Sequence, residues 1–452
     1  MRFQALACDY DGTLATHSFV DDRTIAALKA LRQSGRKLLM VTGRRLEDLS
    51  TVFSHAALFD RIVAENGALL YRPATNEEVV LAEPPPAAFV EALAQRGVEP
   101  VDIGRVIVAT WEPHETVVLE VIRDLGLGMQ IILNKGAVMV LPADVSKATG
   151  LRHALAELGL SPHNAAAVGD AENDHALLAA AECGVAVANS VDALKARADV
   201  VTAGDHGAGV EELIDQLLED DLVSWAPRLT RHAVSLGTGD EGQPFRTPAV
   251  GGRYRVLAHT RDGLLAWVRA FVAQLSAVGR QWALVADCGT QLPQEQNAFP
   301  TNAVRAKTLE EVEQTLADPQ RSAIVQCTAL PEPSRPGFAG ALLAHFNQLW
   351  GSVGRPHWVI WLDAAKMLDL ADSPASDPLG AYGVVYGHAA EVGLPLWGAN
   401  FKAVTFAERG TDAASLPAGA PSIIEYEPSA DGLRFYGALP AWQAPAHAEA
   451  SP

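Results

Sequence analysis

Two carboxylates stand two positions apart in Asp9-Tyr10-Asp11-Gly12-Thr13, directly after an apolar run from Phe3 to Cys8. The run reads as a buried strand, so the pair lies where a strand ends, the place where α/β sheets bind ligands. A carboxylate held there beside a Mg²⁺ ion can attack phosphorus, and a second one can protonate the leaving oxygen. Three more polar clusters follow strand-like or helix-opening segments. Leu38-Leu39-Met40-Val41-Thr42-Gly43-Arg44 delivers a hydroxyl and then a glycine that lets backbone amides approach an anion. Lys147 opens a helix behind Ser146, which reads as an N-cap. Ala166-Ala167-Val168-Gly169-Asp170-Ala171-Glu172-Asn173-Asp174 is a strand, a tight turn and a carboxylate cluster at a helix start. Asp170 and Asp174 offer the hard oxygen ligands that Mg²⁺ prefers.

In this order, Asp9/Asp11, Thr42, Lys147 and Asp170/Asp174 resemble the four motifs of the haloacid dehalogenase (HAD) superfamily, and the long gap between Thr42 and Lys147 resembles its Cof-like (IIB) phosphatases. The resemblance covers residues 1 to about 218. It implies a nucleophile at Asp9 that becomes an aspartyl-phosphate, and a general acid, then base, at Asp11. Thr42 and Lys147 would bind the phosphoryl oxygens, Lys147 also offsetting the charge of Asp9. Mg²⁺ would be held by the Asp9 carboxylate, the Asp11 carbonyl and Asp170, with Asp174 close by. Gly43, Arg44, Asn66 and Asn173 become candidates for substrate contact. Superfamily members that cleave carbon–halogen bonds lack the second carboxylate, so Asp11 favours phosphate ester hydrolysis. A small phosphorylated metabolite, a phosphosugar or phosphoglycolate-like acid, is the expected substrate. Phosphomutase or phosphotransferase activity is the enzymatic alternative, since the same intermediate can pass its phosphoryl group to an alcohol.

The elements needed to position these groups alternate as a doubly wound sheet requires. Asp22 to Ser34 reads as a helix with Ile25, Leu28 and Leu31 as its stripe, and Arg61 to Ala64 as a strand before Glu65-Asn66-Gly67. Gly184 to Ala188 reads as another strand. The expected fold is α/β: a HAD-type Rossmann-like core of residues 1–67 plus 143–218, with an α+β cap, 68–142, inserted after the second motif. Strands near Val79 to Leu81, Val106 to Thr110, Gln130 to Leu133 and Ala137 to Leu141, and helices Pro86 to Gln95 and Glu115 to Leu125, are placed in the cap. Trp111, Glu112, His114 and Lys135 in the cap are able to touch a sugar or acid group, but Trp and His at domain edges are more often packing, and none of the four is taken as a site residue.

Composition bounds the rest. The chain has 452 residues, 49% of them hydrophobic, enough for two or three cores, and a formal net charge of −19. That charge argues against a non-specific nucleic-acid or anionic-membrane binder. Cys8, Cys183, Cys288 and Cys327 show no C-x-x-C spacing, so buried reduced thiols are expected. The N-terminal apolar stretch is interrupted at Asp9 after six residues and no run is of membrane-spanning length, which makes the cytoplasm the expected location.

Past a linker at 219–230, a second α/β domain is expected over 231–438, with a flexible Ala/Pro-rich tail at 439–452. Tyr254 to Ala258, Trp282 to Ala286, Ser322 to Cys327 and Trp358 to Leu362 read as strands, and Leu264 to Leu275 as a helix. This order resembles the ATPase domains of HerA/FtsK-type translocases. The phosphate-loop register, Ala258-His259-Thr260-Arg261-Asp262-Gly263-Leu264-Leu265, lacks the Lys and hydroxyl that hold nucleotide phosphates and Mg²⁺. Asp363 persists at the end of the fourth strand, with Ala364 where a glutamate would activate water. A degenerate, non-hydrolysing P-loop-like domain is therefore expected, serving assembly, regulation, self-association or a protein partner. A scaffold or nucleotide sensor built on this domain is the reading from a different functional class.

Overall fold

The computed structural model describes residues 1–239, 241–247, 253–286, 292–293, 298–327, 330–362, 383–389, 404–409, 423–429 and 432–436. Cys288, Asp363, Ala364 and the tail at 439–452 lie outside the described residues. The chain divides into two compact units: residues 3–225, and residues 226 onward grouped with the first two.

In the first unit, β1 (Ala5–Cys8) is fully buried and lies between β10 (Ala165–Gly169) and β2 (Lys37–Val41), parallel to both. Runs such as Ala-Leu-Ala-Cys and Lys-Leu-Leu-Met-Val lack polar alternation because both faces of such a sheet are covered. The sheet continues through β11 (Cys183–Ala186) to β12 (Val200–Val201) on one side and β3 (Arg61–Ala64) on the other. Between β1 and β2 runs α1 (Asp22–Gln33), capped by the Asp21 carboxylate and burying Ile25, Leu28 and Leu31. Residues 68–81, grouped with the insertion on sequence grounds, instead extend this sheet. β4 (Leu69–Arg72) pairs antiparallel with β3, and β5 (Glu77–Val80) with β4, giving the order β12-β11-β10-β1-β2-β3-β4-β5. Apolar periodicity announces a strand but not the sheet it joins.

The inserted layer is a four-stranded antiparallel sheet, β6 (Asp102–Ile103), β7 (Val108–Trp111), β9 (Ala137–Pro142) and β8 (Met129–Asn134) in that order. Helices α3 (Ala87–Gln95) and α4 (Glu115–Asp124) cover it, and Phe89, Leu93, Val118, Val121, Val138 and Val140 form a core of their own. One side chain of the core meets this layer through three hydrogen bonds. Glu65, fully buried, accepts hydrogen bonds from the backbone N–H of Arg105, Val106 and Ile107 at 2.8, 2.8 and 2.9 Å.

In the second unit, the sheet among the described residues runs β14 (Pro244–Thr247), β13 (Val234–Thr238), β23 (Gly432–Tyr436), β22 (Ile423–Ser429), β21 (Val404–Glu408), β15 (Arg253–Ala258), β20 (Gly383–Ala389), β19 (Trp358–Leu362), β16 (Trp282–Ala286), β18 (Ser322–Gln326) and β17 (Ala303–Ala306). Its centre is parallel, and α9 (Arg261–Ala277) packs Trp267, Phe271 and Leu275 into an aromatic core with Tyr254, Trp358 and Phe406. Residues 258–265 form a strand end, a turn and a helix start, with Thr260 as the N-cap of α9. The Glu408 carboxylate fills the turn, accepting from the N–H of His259 and Thr260 at 3.0 and 3.2 Å. A Cβ at Gly263 would collide with that carboxylate.

Cys8, Cys183 and Cys327 are buried. Among the described residues no helix is long and apolar enough to cross a membrane.

Replacing Glu65 by Ala removes the acceptor of three backbone donors, two of them buried, and the expected cost is about 3 kcal/mol of stability. Denaturant titration of Glu65→Ala and Glu65→Gln measures this, with the Gln variant, which keeps one acceptor oxygen, expected between Ala and wild type.

Candidate active site

The register of the parallel sheet brings the separated motifs to one edge. Cys8 is level with Val168 on β10 and Met40 on β2, so Asp9, Asp170 and Thr42 all follow the carboxyl ends of adjacent strands. The Asp9 backbone N–H still donates to Val168 O at 3.0 Å, which fixes where its side chain emerges.

Lys147 comes from α5 (Lys147–Glu157), held by a capping box in which Ser146 Oγ accepts from Thr149 N–H and Thr149 Oγ1 from Ser146 N–H. Two glycines bring this helix close to the sheet, since a Cβ at Gly150 would lie 2.7 Å from Gly67 Cα. The Lys147 ammonium is 1% exposed and donates to Asp9 Oδ1 and Asp174 Oδ1, both at 2.6 Å. The other oxygen of Asp174 accepts from the N–H of Asp170 and Ala171, each at 3.0 Å, which shapes the turn that presents Asp170. Thr13 Oγ1 lies 3.3 Å from Asp9 Oδ2 and 3.2 Å from Asp170 Oδ1, so its one proton is shared between two carboxylates.

Asp11 turns away from this cluster. Its carboxylate is gripped by Arg44, Nε to Oδ2 and Nη2 to Oδ1, both at 2.6 Å, in the two-pronged geometry a guanidinium offers. Arg44 Nη2 also donates to Ser18 Oγ at 2.7 Å, and the guanidinium stands over the Tyr10 ring. Thr42 is fully buried, its Oγ1 accepting from Arg44 N–H at 3.1 Å and its carbonyl from Asn66 N–H at 3.0 Å. Asn66, in left-handed backbone at φ 53°, accepts from Asn173 Nδ2 at 2.9 Å and lies against Gly43. Asn173 Oδ1 is buried without a hydrogen-bond partner. The ten sequence-predicted residues thus fall into three contiguous groups: Asp9, Lys147, Asp170 and Asp174; Asp11 with Arg44; and Thr42, Gly43, Asn66 and Asn173.

Two further residues, Thr13 and Lys135, take part in the cluster. Thr13 closes the Asp9 pentapeptide, so the motif itself carried its signal. Lys135, which the sequence offers only as a possible sugar or acid contact, donates its ammonium to Asp170 Oδ2 at 2.8 Å and to the Asp11 carbonyl at 3.2 Å. Gly12, at φ 88°, is required beneath it, because a Cβ there would run into Asp170 and lie 2.6 Å from Lys135 Nζ. Trp111 is half exposed, and His114 Nε2 is bonded to Glu99 O within the inserted layer.

The electrostatics are unbalanced. Burial, reinforced by the charge of Asp174, pushes the Asp9 carboxyl up to about 8 in spite of Lys147. Burial also raises Asp170, against the opposing pull of Lys135. Burial opposes the Lys147 charge as well, but Asp174 and Asp9 outweigh it and hold the ammonium firmly protonated. Asp9, Asp170 and Asp174, whose ligand atoms lie within 4.8 Å of one another, are three carboxylates facing two ammonium groups. The donor set fits Mg²⁺, with hard carboxylate and carbonyl oxygens and a cation already drawn to two of them in the form of Lys135.

Residues 6–99 and 123–214 match the sequence profile of the haloacid dehalogenase-like hydrolases. A phosphoglycolate phosphatase of Natronomonas pharaonis is 31% identical over 227 residues, 47% of this chain and 96% of that protein. Phosphoglycolate phosphatase 2 of Saccharolobus solfataricus is 30% identical over 229 residues, 48% of this chain and 93% of that protein. A solved HAD subclass IIB sugar phosphatase aligns with 47% of this chain and 98% of its own at 22% identity, with a TM-score of 0.41. The profile match lies wholly within the first unit.

An acid whose folded pKa is raised adds stability that is full below its unfolded pKa and is lost as pH rises toward the folded one. For Asp9 that window runs from 3.8 to about 8. Without divalent cations, Asp9→Asn should therefore melt at a higher temperature than wild type at pH 8, by about 2–4 °C or more, and the gap should close toward pH 4. Melting curves across that range check it; a wild type more stable than Asp9→Asn at pH 8 contradicts it.

Proposed function

We propose, for a chain that belongs to the haloacid dehalogenase-like hydrolases and is a phosphoric monoester hydrolase, that it cleaves a small phosphorylated metabolite, of the phosphoglycolate or phosphosugar kind, with Mg²⁺ and through a phosphoryl group carried on Asp9. The observation that carries this reading is the Asp9 carboxylate itself, 4% exposed at a strand end, aimed by Lys147 and Thr13, with Asp170 beside it.

In the first step an Asp9 oxygen bonds to phosphorus as the ester P–O bond breaks, and the leaving oxygen takes a proton from Asp11. In the second, Asp11 removes a proton from water, whose oxygen bonds to phosphorus and releases phosphate and free Asp9. Lys147 keeps Asp9 oriented and offsets charge on the transferring group. Asp9, Asp170 and the Asp11 carbonyl would hold Mg²⁺, whose positive charge lowers the proton affinity of Asp9 and neutralises phosphoryl oxygens. Asp174 works mainly by holding Lys147 and the Asp170 turn. Arg44 must loosen its grip before Asp11 can carry a proton. An anionic substrate entering there offers the guanidinium a second partner, which gives Arg44 a part in both binding and release. The neighbouring Thr42 and the Asn66–Asn173 pair border the phosphoryl position, and the unpartnered Asn173 Oδ1 can accept from a substrate hydroxyl.

The test is release of inorganic phosphate from phosphoglycolate and a panel of sugar phosphates. Turnover should require Mg²⁺, stop with EDTA, and fall about a thousandfold or more in Asp9→Asn and about 10²- to 10⁴-fold in Asp11→Asn. Turnover that survives either EDTA or Asp9→Asn defeats the reading.

A further inference from the structure

Lys135 sits at the tip of the β8–β9 hairpin, where Asn134 pairs with Ala137 and the two residues between them both have positive φ, 50° for Lys135 and 84° for Gly136. Such a two-residue turn matches the twist of its strands, so the tip is a rigid projection rather than a loose loop. Glu112 N–H donates to Gly136 O at 2.9 Å and braces it from β7. The hairpin therefore delivers one ammonium to a defined point, and that point is a pair of oxygens, Asp170 Oδ2 and the Asp11 carbonyl. The lysine side chain is 51% exposed, while the carboxylate it meets is 4% exposed. Burial opposes its charge, but Asp170 outweighs burial and keeps Lys135 protonated.

We propose that Lys135 is a built-in placeholder for the divalent cation: its ammonium and Mg²⁺ compete for Asp170 and the Asp11 carbonyl, so metal entry and seating of the hairpin tip are linked. The inference rests on the metal-dependent reading above. Charge decides the competition. With Lys135 in place, the three carboxylates of the cluster face two single positive charges; with Mg²⁺ in its stead and Lys147 retained, the cluster is neutral. The divalent ion is the better occupant, and the lysine keeps the buried carboxylates from facing one another unscreened until it arrives. Each occupant weakens the other by the same factor, as linkage demands. Displaced, the ammonium is held by its hairpin at the mouth of the site.

Calorimetric titration of Mg²⁺ into the full chain and into Lys135→Met tests this. The half-exposed side chain makes the variant safe to fold, and its melting curve checks that. Lys135→Met should bind Mg²⁺ roughly three- to tenfold more tightly than wild type. Acetylation of the intact wild-type protein, followed by mass spectrometry, supplies a second readout: Mg²⁺ should speed modification of Lys135 and leave the exposed Lys29 unchanged. Equal or weaker affinity in Lys135→Met, or Lys135 reactivity that ignores bound Mg²⁺, overturns the placeholder and leaves the metal reading standing. Heat from neither protein overturns both.

Discussion

The salt bridge from Lys147 to Asp9 and Asp174 is the constraint around which the first unit is organised. One buried ammonium answers two carboxylates that follow neighbouring strands, and a third element, α5, supplies it. Charges so far from water are tolerable only when each has a partner in good geometry. That requirement explains the capping box at Ser146, the close approach at Gly150 and the backbone donors on Asp174, all of which fix the position of one nitrogen or its acceptors.

The arrangement favours reactivity over stability. A carboxyl group whose proton affinity burial has raised is a strained component, and the surrounding sheet must hold it. Hydrophobic density on both sides of β1, with Phe3, Leu6 and Ala7 fully buried, provides the rigid frame. The same frame sets the spacing of all three groups at the carboxyl edge, so a shift in strand register would separate the nucleophile from its cation and the phosphoryl-binding turn together.

Much of this was legible because each motif ends an uninterrupted apolar run: Ala5 to Cys8, Leu38 to Val41 and Ala165 to Val168 announce buried parallel strands, and polar residues just after them must face the edge. Ser146 as an N-cap was readable for the same local reason. Long-range ion pairs have no such signature. Nothing near Lys135 distinguishes it from a solvated turn lysine, since its partners lie 124 and 35 positions away. Arg44 was legible as a residue at the mouth but not as the clamp on Asp11, and Glu65 resembles an ordinary turn residue until the backbone of 105–107 closes on it. In the second unit the wholly apolar strands β16 and β19 stood out, whereas β22, with Glu425 and Glu427 alternating with buried partners, gave no comparable run.

Glu408 gives the second unit a different character from the first. Its carboxylate lies against the start of α9 as an acceptor already attached to the chain, on the strand next to β15. A tethered group has an effective concentration far above that of any dissolved anion, so a diffusing phosphate would have to win its place against a competitor that never leaves. What elsewhere in α/β sheets is a berth for a ligand is here a rivet: it joins β21 to the β15–α9 turn and makes the order of that corner a property of the polypeptide alone, independent of the small-molecule content of its surroundings.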